Sequence, residues 1–507
     1  MPLIGKILKT SSKVKFQKNN LIAREFKSQI RTLFKLIDFS KDTDFGHKYI
    51  FNEILINPNL VSEFQFNVPI TNYDQFYEDW LIKSIKGKKN HTWPGKIKYY
   101  ALSSGTSGSP SKRIPVTNQM IKSFQKTSVN QISTLHQLNL DRKVFSSKIL
   151  VVGGSSKLKK VDKHFEGDLS GILKKHTSFI YSPFTKPNKK ITDLTNWSEK
   201  LEQMVIKAPS WDIGIIAGVP SWCILLIEKI IEVYKLKSIH DIWPNFELYI
   251  HGGVFIEPYI KKLNSITGKK VHLLDTYLSS EGYFAFQSSP QKEGMQLLLE
   301  NGIFYEFIPF TSDYFDSEGN CKDLHFALTI DQVRQDVDYA MVITTNAGLW
   351  RYMIGDLIQF IDIESFEIKI SGRIQQYLSL TGEHLSLNNI NTAIKNVNLK
   401  LGVDILEFCI ISDEKKQRHS WFVGSNSIVD KFEYIENLDE ELMRLNDDYK
   451  TCRKYNLSHP KIEILEPKLF YEFLEEIGKS GSQHKFPRVL TKPQAKKWLA
   501  FLKARKK

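Results

Sequence analysis

Strand-like runs that end in glycine pairs, separated by helical patterns, constrain this chain more than any other feature. Lys148-Ile149-Leu150-Val151-Val152-Gly153-Gly154 is one such run and Phe246-Glu247-Leu248-Tyr249-Ile250-His251-Gly252-Gly253 is another. Met120–Leu138 and Ser221–Tyr234 carry helical spacing. Parallel strands need a crossover between them, usually a helix, so this alternation predicts an α/β protein with largely parallel sheets. Glycine turns at strand ends are where such folds commonly bind ligands, because a bare backbone lets a ligand come close.

With 507 residues the chain can bury a large core, and more than one domain is expected. Cys223, Cys321, Cys409 and Cys452 are scattered, with no CxxC pair. That argues against a disulfide framework or structural zinc and for a reducing cytoplasm. Met1–Leu8 is short and followed by lysines, so no secretory signal is expected. The most apolar stretch, Ile213–Tyr234, is broken by Pro220, Glu228 and Lys229. It reads as a buried strand and helix, not a membrane span.

The net charge of +14 invites a nucleic-acid reading, but its distribution argues otherwise. Residues 1–36 hold nine Lys/Arg and one acid; residues 492–507 hold seven Lys/Arg and no acid. These ends account for +8 and +7, leaving about −1 for the body. A nucleic-acid enzyme more often carries its basic field along a groove in the body. The first segment also has helical spacing at Ile22, Phe26, Ile30, Leu33 and Phe34, so it is expected to dock.

Residues 103–108 read Ser-Ser-Gly-Thr-Ser-Gly, with Lys112 after them. The run is too poor in apolar residues to be core. Its glycines, hydroxyls and free N–H groups suit a loop wrapped around a triphosphate, and equally a plain flexible turn. It is not a Walker A loop, because no Gly-Lys-Ser/Thr follows at the required spacing.

Two further segments bear on that choice. Residues 276–284 read Thr-Tyr-Leu-Ser-Ser-Glu-Gly-Tyr-Phe, and residues 350–356 read Trp-Arg-Tyr-Met-Ile-Gly-Asp. In this order, the three motifs resemble the auxin-responsive Gretchen Hagen family of acyl-acid amido synthetases. That family belongs to the adenylate-forming class that includes acyl-CoA ligases and luciferase. The resemblance begins near Asp42-Thr-Asp-Phe-Gly-His-Lys-Tyr and passes Val68-Pro69-Ile70 and Trp93-Pro94-Gly95. It continues through Gly382-Glu383-His384-Leu385-Ser386 to Gln483-His484-Lys485-Phe486-Pro487-Arg488.

The resemblance implies a large N-terminal α/β domain of the luciferase-like, adenylate-forming type and a small α+β C-terminal lid. The boundary is expected near Gly372-Arg373, giving residues 1–371 and 372–507. The implied reaction has two steps. A carboxylate attacks the α-phosphate of ATP, giving an acyl-adenylate and pyrophosphate. An amine, by default an amino acid, then attacks the acyl carbon, giving an amide and AMP. ATP and Mg²⁺ are the implied cofactors, and small-molecule acid and amine the implied partners. No nucleic acid or membrane span is expected, and a monomer is favoured.

The site residues follow from the same resemblance. Ser103, Ser104, Gly105 and Thr106 correspond to the phosphate loop. Tyr277 offers a flat face for adenine, and Ser279 and Ser280 offer hydroxyls to the α-phosphate. Glu281, a hard oxygen ligand, is the expected magnesium ligand and a catalytic residue. Asp356 is expected to accept hydrogen bonds from both ribose hydroxyls. Lys485 is the lid lysine that would neutralise charge at the reacting centre. Trp350 and Tyr352 read as packing, and no catalytic role goes to Arg351. Arg373 and Glu383 bracket the expected hinge.

Two departures stand out. His384 stands where many plant members carry lysine. Plant members also often pair the acid with an arginine on the helix after the phosphate loop. Here that helix offers Lys122, Lys126, Gln131 and His136 instead. Two alternatives remain at this level: an acyl-CoA ligase using a thiol acceptor, and a non-catalytic protein that binds through its basic termini.

Overall fold

The computed structural model describes residues 26–103, 112–176, 182–316, 319–374, 378, 380–381, 383, 385, 387–478 and 486–505. Ser104, Gly105, Thr106, His384 and Lys485 therefore lie outside the described residues. The strands, in chain order, begin with β1 (Tyr99–Ser103), β2 (Lys112–Val116), β3 (Lys148–Val152), β4 (Lys159–Val161), β5 (His164–Gly167) and β6 (Thr185–Lys186). Next come β7 (Ile213–Gly218), β8 (Leu248–Gly252), β9 (His272–Leu278), β10 (Tyr283–Phe286), β11 (Met295–Leu297) and β12 (Ile303–Pro309). The last are β13 (Asp338–Thr345), β14 (Tyr352–Asp362), β15 (Glu367–Arg373), β16 (Ile405–Asp413), β17 (Arg418–Ser425) and β18 (Lys461–Leu465).

The main sheet has 11 strands in the order β12-β13-β14-β15-β11-β10-β9-β8-β7-β3-β6. Its half from β6 through β3, β7 and β8 to β9 is parallel. The helix Pro220–Tyr234 links β7 to β8, and Glu257–Ile266 links β8 to β9. Pro220 begins its helix, where a missing N–H costs no hydrogen bond. The other half, from β9 onward, is antiparallel. This corrects the expectation of a largely parallel sheet. Strands β9 to β15 follow one another without crossover helices, and β14 turns into β15 through residues 363–366 alone. Connections that short can only return the chain antiparallel. A second sheet, β2-β1-β5-β4, carries Ser103 and Lys112 on paired strand ends.

The helix Phe26–Ser40 docks on the main sheet, with Leu33 and Ile37 fully buried. Gln29 joins it to the sheet by donating to Leu299 O and Ile303 O and accepting from Tyr305 N. Phe34 departs from the expected stripe and is 45% exposed, while Ile22 lies outside the described residues.

Trp350 sits in an aromatic cluster with Phe45, Phe51, Phe64 and Trp93, and its indole donates to Thr92 O. Arg351 is 0% exposed and pairs with the equally buried Glu306 at 2.9 Å. It also donates to Gln65 O, Val68 O and His325 O. A buried charge is tolerated only with a full set of partners, and Arg351 spends all of its donors inside the protein. Tyr352 is fully buried as well.

After Arg373 the chain builds a separate sheet, β16-β17-β18. Its strands alternate faces with period two. Phe408, Ile410, Trp421 and Val423 pack with the helices Leu387–Leu401 and Lys431–Leu445. Cys409 and Phe422 pack the other way, with Phe470, Phe473 and Trp498 of the helices Lys468–Glu476 and Lys492–Arg505. Among the described residues, no helix is long and apolar enough to cross a membrane, and all four cysteines are free.

Candidate active site

The ends of β3, β7, β8 and β9 open into a cavity of about 1030 Å³, bounded on its other side by β1, β2 and the β14–β15 pair. Gly252 and Gly253 close β8 there. A Cβ on Gly252 would lie 2.5 Å from both Thr276 O and Thr276 Oγ1, and Gly253 takes φ of +84°, a region that favours glycine. A second cavity, about 1590 Å³, runs from the same strand ends towards Asn391, Lys395 and Phe486–Arg488. The two cavities share His251, Gly253, Leu278, Ser279, Asp356 and Arg373.

Asp356 stands at this junction. It is buried on β14, and its cross-strand neighbour on β15 is Arg373. Arg373 Nε lies 2.7 Å from Asp356 Oδ1, and the Tyr277 hydroxyl donates to Oδ2 at 2.6 Å. Burial and the nearby Asp356 charge push the Tyr277 phenol far above its ordinary range, so it stays a donor. The Tyr277 ring is tilted against Phe284 at 4.8 Å. One donor on each oxygen fixes the carboxylate and still leaves about half of its roughly four lone-pair sites open.

Ser279, Ser280 and Glu281 form the turn between β9 and β10, where Ser279 N donates to Gly282 O. The Ser279 hydroxyl donates to Glu281 Oε2 at 2.8 Å and accepts from Glu281 N at 3.1 Å. This local ring holds the glutamate in place. Glu281 is buried, and desolvation pushes its carboxyl above the usual range, against the pull of Ser279 and Lys112. Lys112 lies on the same cavity, with Nζ 5.0 Å from the centre of the Tyr73 ring.

The structure thus gathers Ser103, Tyr277, Ser279, Ser280, Glu281 and Asp356 around two connected cavities. On the helix Asn118–Thr134, Lys122 and Lys126 point to solvent. Gln131 is the candidate from that helix that lines a cavity. The His136 ring contacts Ser133 O through Nδ1 at 2.8 Å.

Several residues escaped the sequence reading. Lys200 is buried and donates to both Gly153 O and Gly154 O, at 2.8 and 2.7 Å, fixing the turn at the end of β3. Burial pushes its ammonium down to about 8. Its signal was available: Lys200 shares a helical stripe with the buried Trp197, Leu201 and Met204. Glu407 had no such signal. It accepts from Arg488 at 2.6 Å, from Tyr471 at 3.2 Å and from Tyr259 at 2.8 Å, joining the last sheet to the helix Glu257–Ile266 of the first part. Glu383, expected at a hinge, is 0% exposed and accepts from Leu380 N, Thr381 N, Thr381 Oγ1 and His419 Nε2.

Comparison with known proteins places these features in a family. The GH3 family N-terminal domain matches residues 19–195, its central domain residues 296–373 and its C-terminal domain residues 388–494. The jasmonoyl–L-amino acid synthetase GH3.5 of Oryza sativa subsp. japonica is 24% identical over 277 residues, 50% of this chain and 47% of that protein. The indole-3-acetic acid-amido synthetase GH3.4 of Arabidopsis thaliana is 25% identical over 276 residues, 50% of this chain and 45% of that protein. The chain spans about half the length of these curated relatives. The solved GH3.15 acyl acid amido synthetase superposes with a TM-score of 0.77 at 17% identity, over 96% of this chain and 95% of that one. A 2-hydroxyisobutyryl-CoA ligase in the postadenylation state gives 0.61 at 12% identity, over 95% and 92%. The fold is that of the adenylate-forming enzymes, a large N-terminal α/β domain with a smaller C-terminal one. With all three family domains matched in order over most of its length, this chain belongs to the GH3 family.

Proposed function

We propose that this protein is an acyl-acid amido synthetase: it adenylates a carboxylic acid with ATP and passes the acyl group to an amine, by preference an amino acid. The observation that carries this reading is the buried Asp356, fixed by Tyr277 and Arg373 where two cavities meet. Membership of a family whose relatives are named as amido synthetases supports it.

In this reading ATP is a substrate whose ribose hydroxyls donate to the open lone pairs of Asp356. Tyr277 offers its ring to adenine. Ser103, Ser104, Gly105 and Thr106 cradle the distal phosphates, with Lys112 nearby, and Ser279 and Ser280 face the α-phosphate. Glu281 fits a magnesium site: it is a buried carboxylate whose charge is disfavoured by desolvation and would be favoured by a cation. Magnesium takes few protein ligands, which agrees with the lack of any cluster of three acidic, His or Cys side chains among the described residues. When bound, the ion supplies charge neutralisation between phosphate oxygens. Two anions must meet in the first step, so positioning and electrostatic screening are the chain's main contributions.

Residues 1–371 form the adenylating domain and 372–507 a lid that swings between the two half-reactions. Lys485 is the lid cation delivered to the reacting centre. The free, scattered cysteines suit a cytoplasmic protein. The test is pyrophosphate release from ATP and Mg²⁺ with a library of carboxylic acids, followed by mass analysis for amide product. A thiol acceptor is the second reading, favoured by the fold shared with the CoA ligase. AMP release with an amino-acid panel against coenzyme A separates the two. No acid-dependent pyrophosphate release would overturn both.

A further inference from the structure

The body of the chain is nearly neutral, but the fold does not spread its charge evenly. Residues 83–98 carry six lysines and no acid, and residues 157–163 carry four lysines and one acid, Asp162. The two segments meet. Lys163 lies in the turn between β4 and β5, and a Cβ on Gly87 would stand 2.9 Å from its Cδ. Phe165 N donates to Lys98 O at 2.9 Å, where β5 runs beside β1. Nine of these ten lysines are exposed, and Lys96 is half-buried. Among the described residues, Lys88 is the one of the ten that pairs with a carboxylate, Asp44. None of the ten lines either cavity, so the field lies on open surface, apart from the proposed chemistry.

Gathered like charges repel one another, and an anionic partner relieves that repulsion. The make-up of the face selects among anionic partners. Neither segment contains an arginine. The guanidinium fork that suits bidentate recognition of phosphates and base edges is therefore missing, and each ammonium acts as a point charge that any anionic headgroup satisfies. An aromatic ring stands beside the lysines. Phe39, near the end of the helix Phe26–Ser40, is 49% exposed, and its ring centre lies 5.2 Å from that of Trp93, a buried residue of the 83–98 segment. Lysines around a half-exposed ring match the layers of a lipid interface, with charge at the headgroups and the ring at their boundary with the acyl chains.

We propose that this face docks the protein on an anionic lipid surface. The contact is peripheral: the lysines of both segments lie over the headgroups and Phe39 enters the boundary layer. Each lysine held near such a surface raises affinity by about fivefold. The attraction weakens as salt shortens the screening length, while the contribution of Phe39 does not. The docking surface is separate from the two cavities, so it stands or falls independently of the adenylation reading.

The test sediments the full chain with vesicles of phosphatidylcholine alone and of phosphatidylcholine mixed with phosphatidylglycerol, over a range of salt. One variant combines Lys86→Glu, Lys89→Glu, Lys160→Glu and Lys163→Glu. A control combines Lys415→Glu, Lys416→Glu, Lys431→Glu and Lys454→Glu, four exposed lysines of the C-terminal part. Both make the same change in net charge, so the basic ends of the chain contribute equally to each. All eight positions are exposed, and unchanged thermal midpoints verify folding. The parent should bind the mixed vesicles and not the neutral ones, more weakly as salt rises. The first variant should lose about a hundredfold or more, and the control under tenfold. Phe39→Ser should weaken the binding that persists at high salt. Equal binding to both kinds of vesicle, no binding to the mixed ones, or equal losses in the two variants overturns the proposal. Fluorescence anisotropy with labelled RNA and DNA oligonucleotides at the same salt is the competing measurement. Tighter binding there, lost in the first variant and kept in the control, would make this a nucleic-acid surface and also overturn the lipid assignment.

Discussion

Glu383→Gln tests whether the bend at Leu380 and Thr381 is held by charge. The Glu383 carboxylate is completely buried and receives two backbone N–H bonds of 2.7 Å, from Leu380 and Thr381, and one of 2.8 Å from His419. His419 lies on β17, so this carboxylate ties the turn to the C-terminal sheet. Burial alone would raise its pKa, but the bonds from His419, Leu380 and Thr381 win and pull it from 4.5 to about 2. A drop of that size corresponds to about 3 kcal/mol of stability at neutral pH. Because the folded value lies below the unfolded one, this contribution is complete above the unfolded pKa and is lost as the pH falls through the folded one. By about pH 3 less than half of it remains. Glutamine keeps the shape but loses the charge and turns one end of the side chain into a donor facing other donors. Urea unfolding of parent and variant at about pH 7, 5 and 3, read by pulse proteolysis of peptides from β16 and β17, isolates this part of the molecule. The gap between the two proteins should be about 3 kcal/mol or more at the highest pH and shrink by more than half at the lowest. A gap that is absent at neutral pH, or unchanged in acid, refutes the reasoning.

Three further outcomes are expected. Asp356→Ala should weaken ATP binding measured by calorimetry, since each hydrogen bond to a charged acceptor is worth about 1.5–3 kcal/mol; unchanged affinity in a folded variant removes Asp356 from the nucleotide site. Glu281→Gln should raise the magnesium concentration needed for half-maximal pyrophosphate release, with a smaller effect on thermal stability; an identical magnesium dependence assigns Glu281 to the turn alone. Glu407→Gln removes the charge that holds Arg488 and Tyr259 together across the two parts. It should change the ratio of acyl-adenylate formation to aminolysis in pre-steady-state kinetics more than it changes ATP affinity. Equal effects on both half-reactions would make this junction a static one.

Local patterning settled much of the fold. Strand β3, strand β8 and the helix Pro220–Tyr234 follow from short-range composition, because β-branched runs, glycine turns and an N-terminal proline act within a few residues. The family motifs also named Ser103, Tyr277, Ser279, Ser280, Glu281 and Asp356 as one group, and all of them line the two cavities. Other features depend on which distant segments meet. Short connections turn β13 into β14 and β14 into β15, but β12 pairs with β13 across residues 310–337 and β11 pairs with the distant β15, and local composition states neither pairing. Arg351, flanked by motif residues, turns inward to Glu306, 45 positions away. Asp356 meets Tyr277 across 79 positions, and Gln131 meets Tyr283 across 152. Glu407 looks like any strand glutamate until Tyr259, Tyr471 and Arg488 close around it. Sequence alone determined which hydroxyl, carboxylate and glycine residues were available to the site proposed above. Only the tertiary structure decided which charges were buried and which distant groups paired with them, because burial and partnership belong to contacts that the order of residues along the chain does not state.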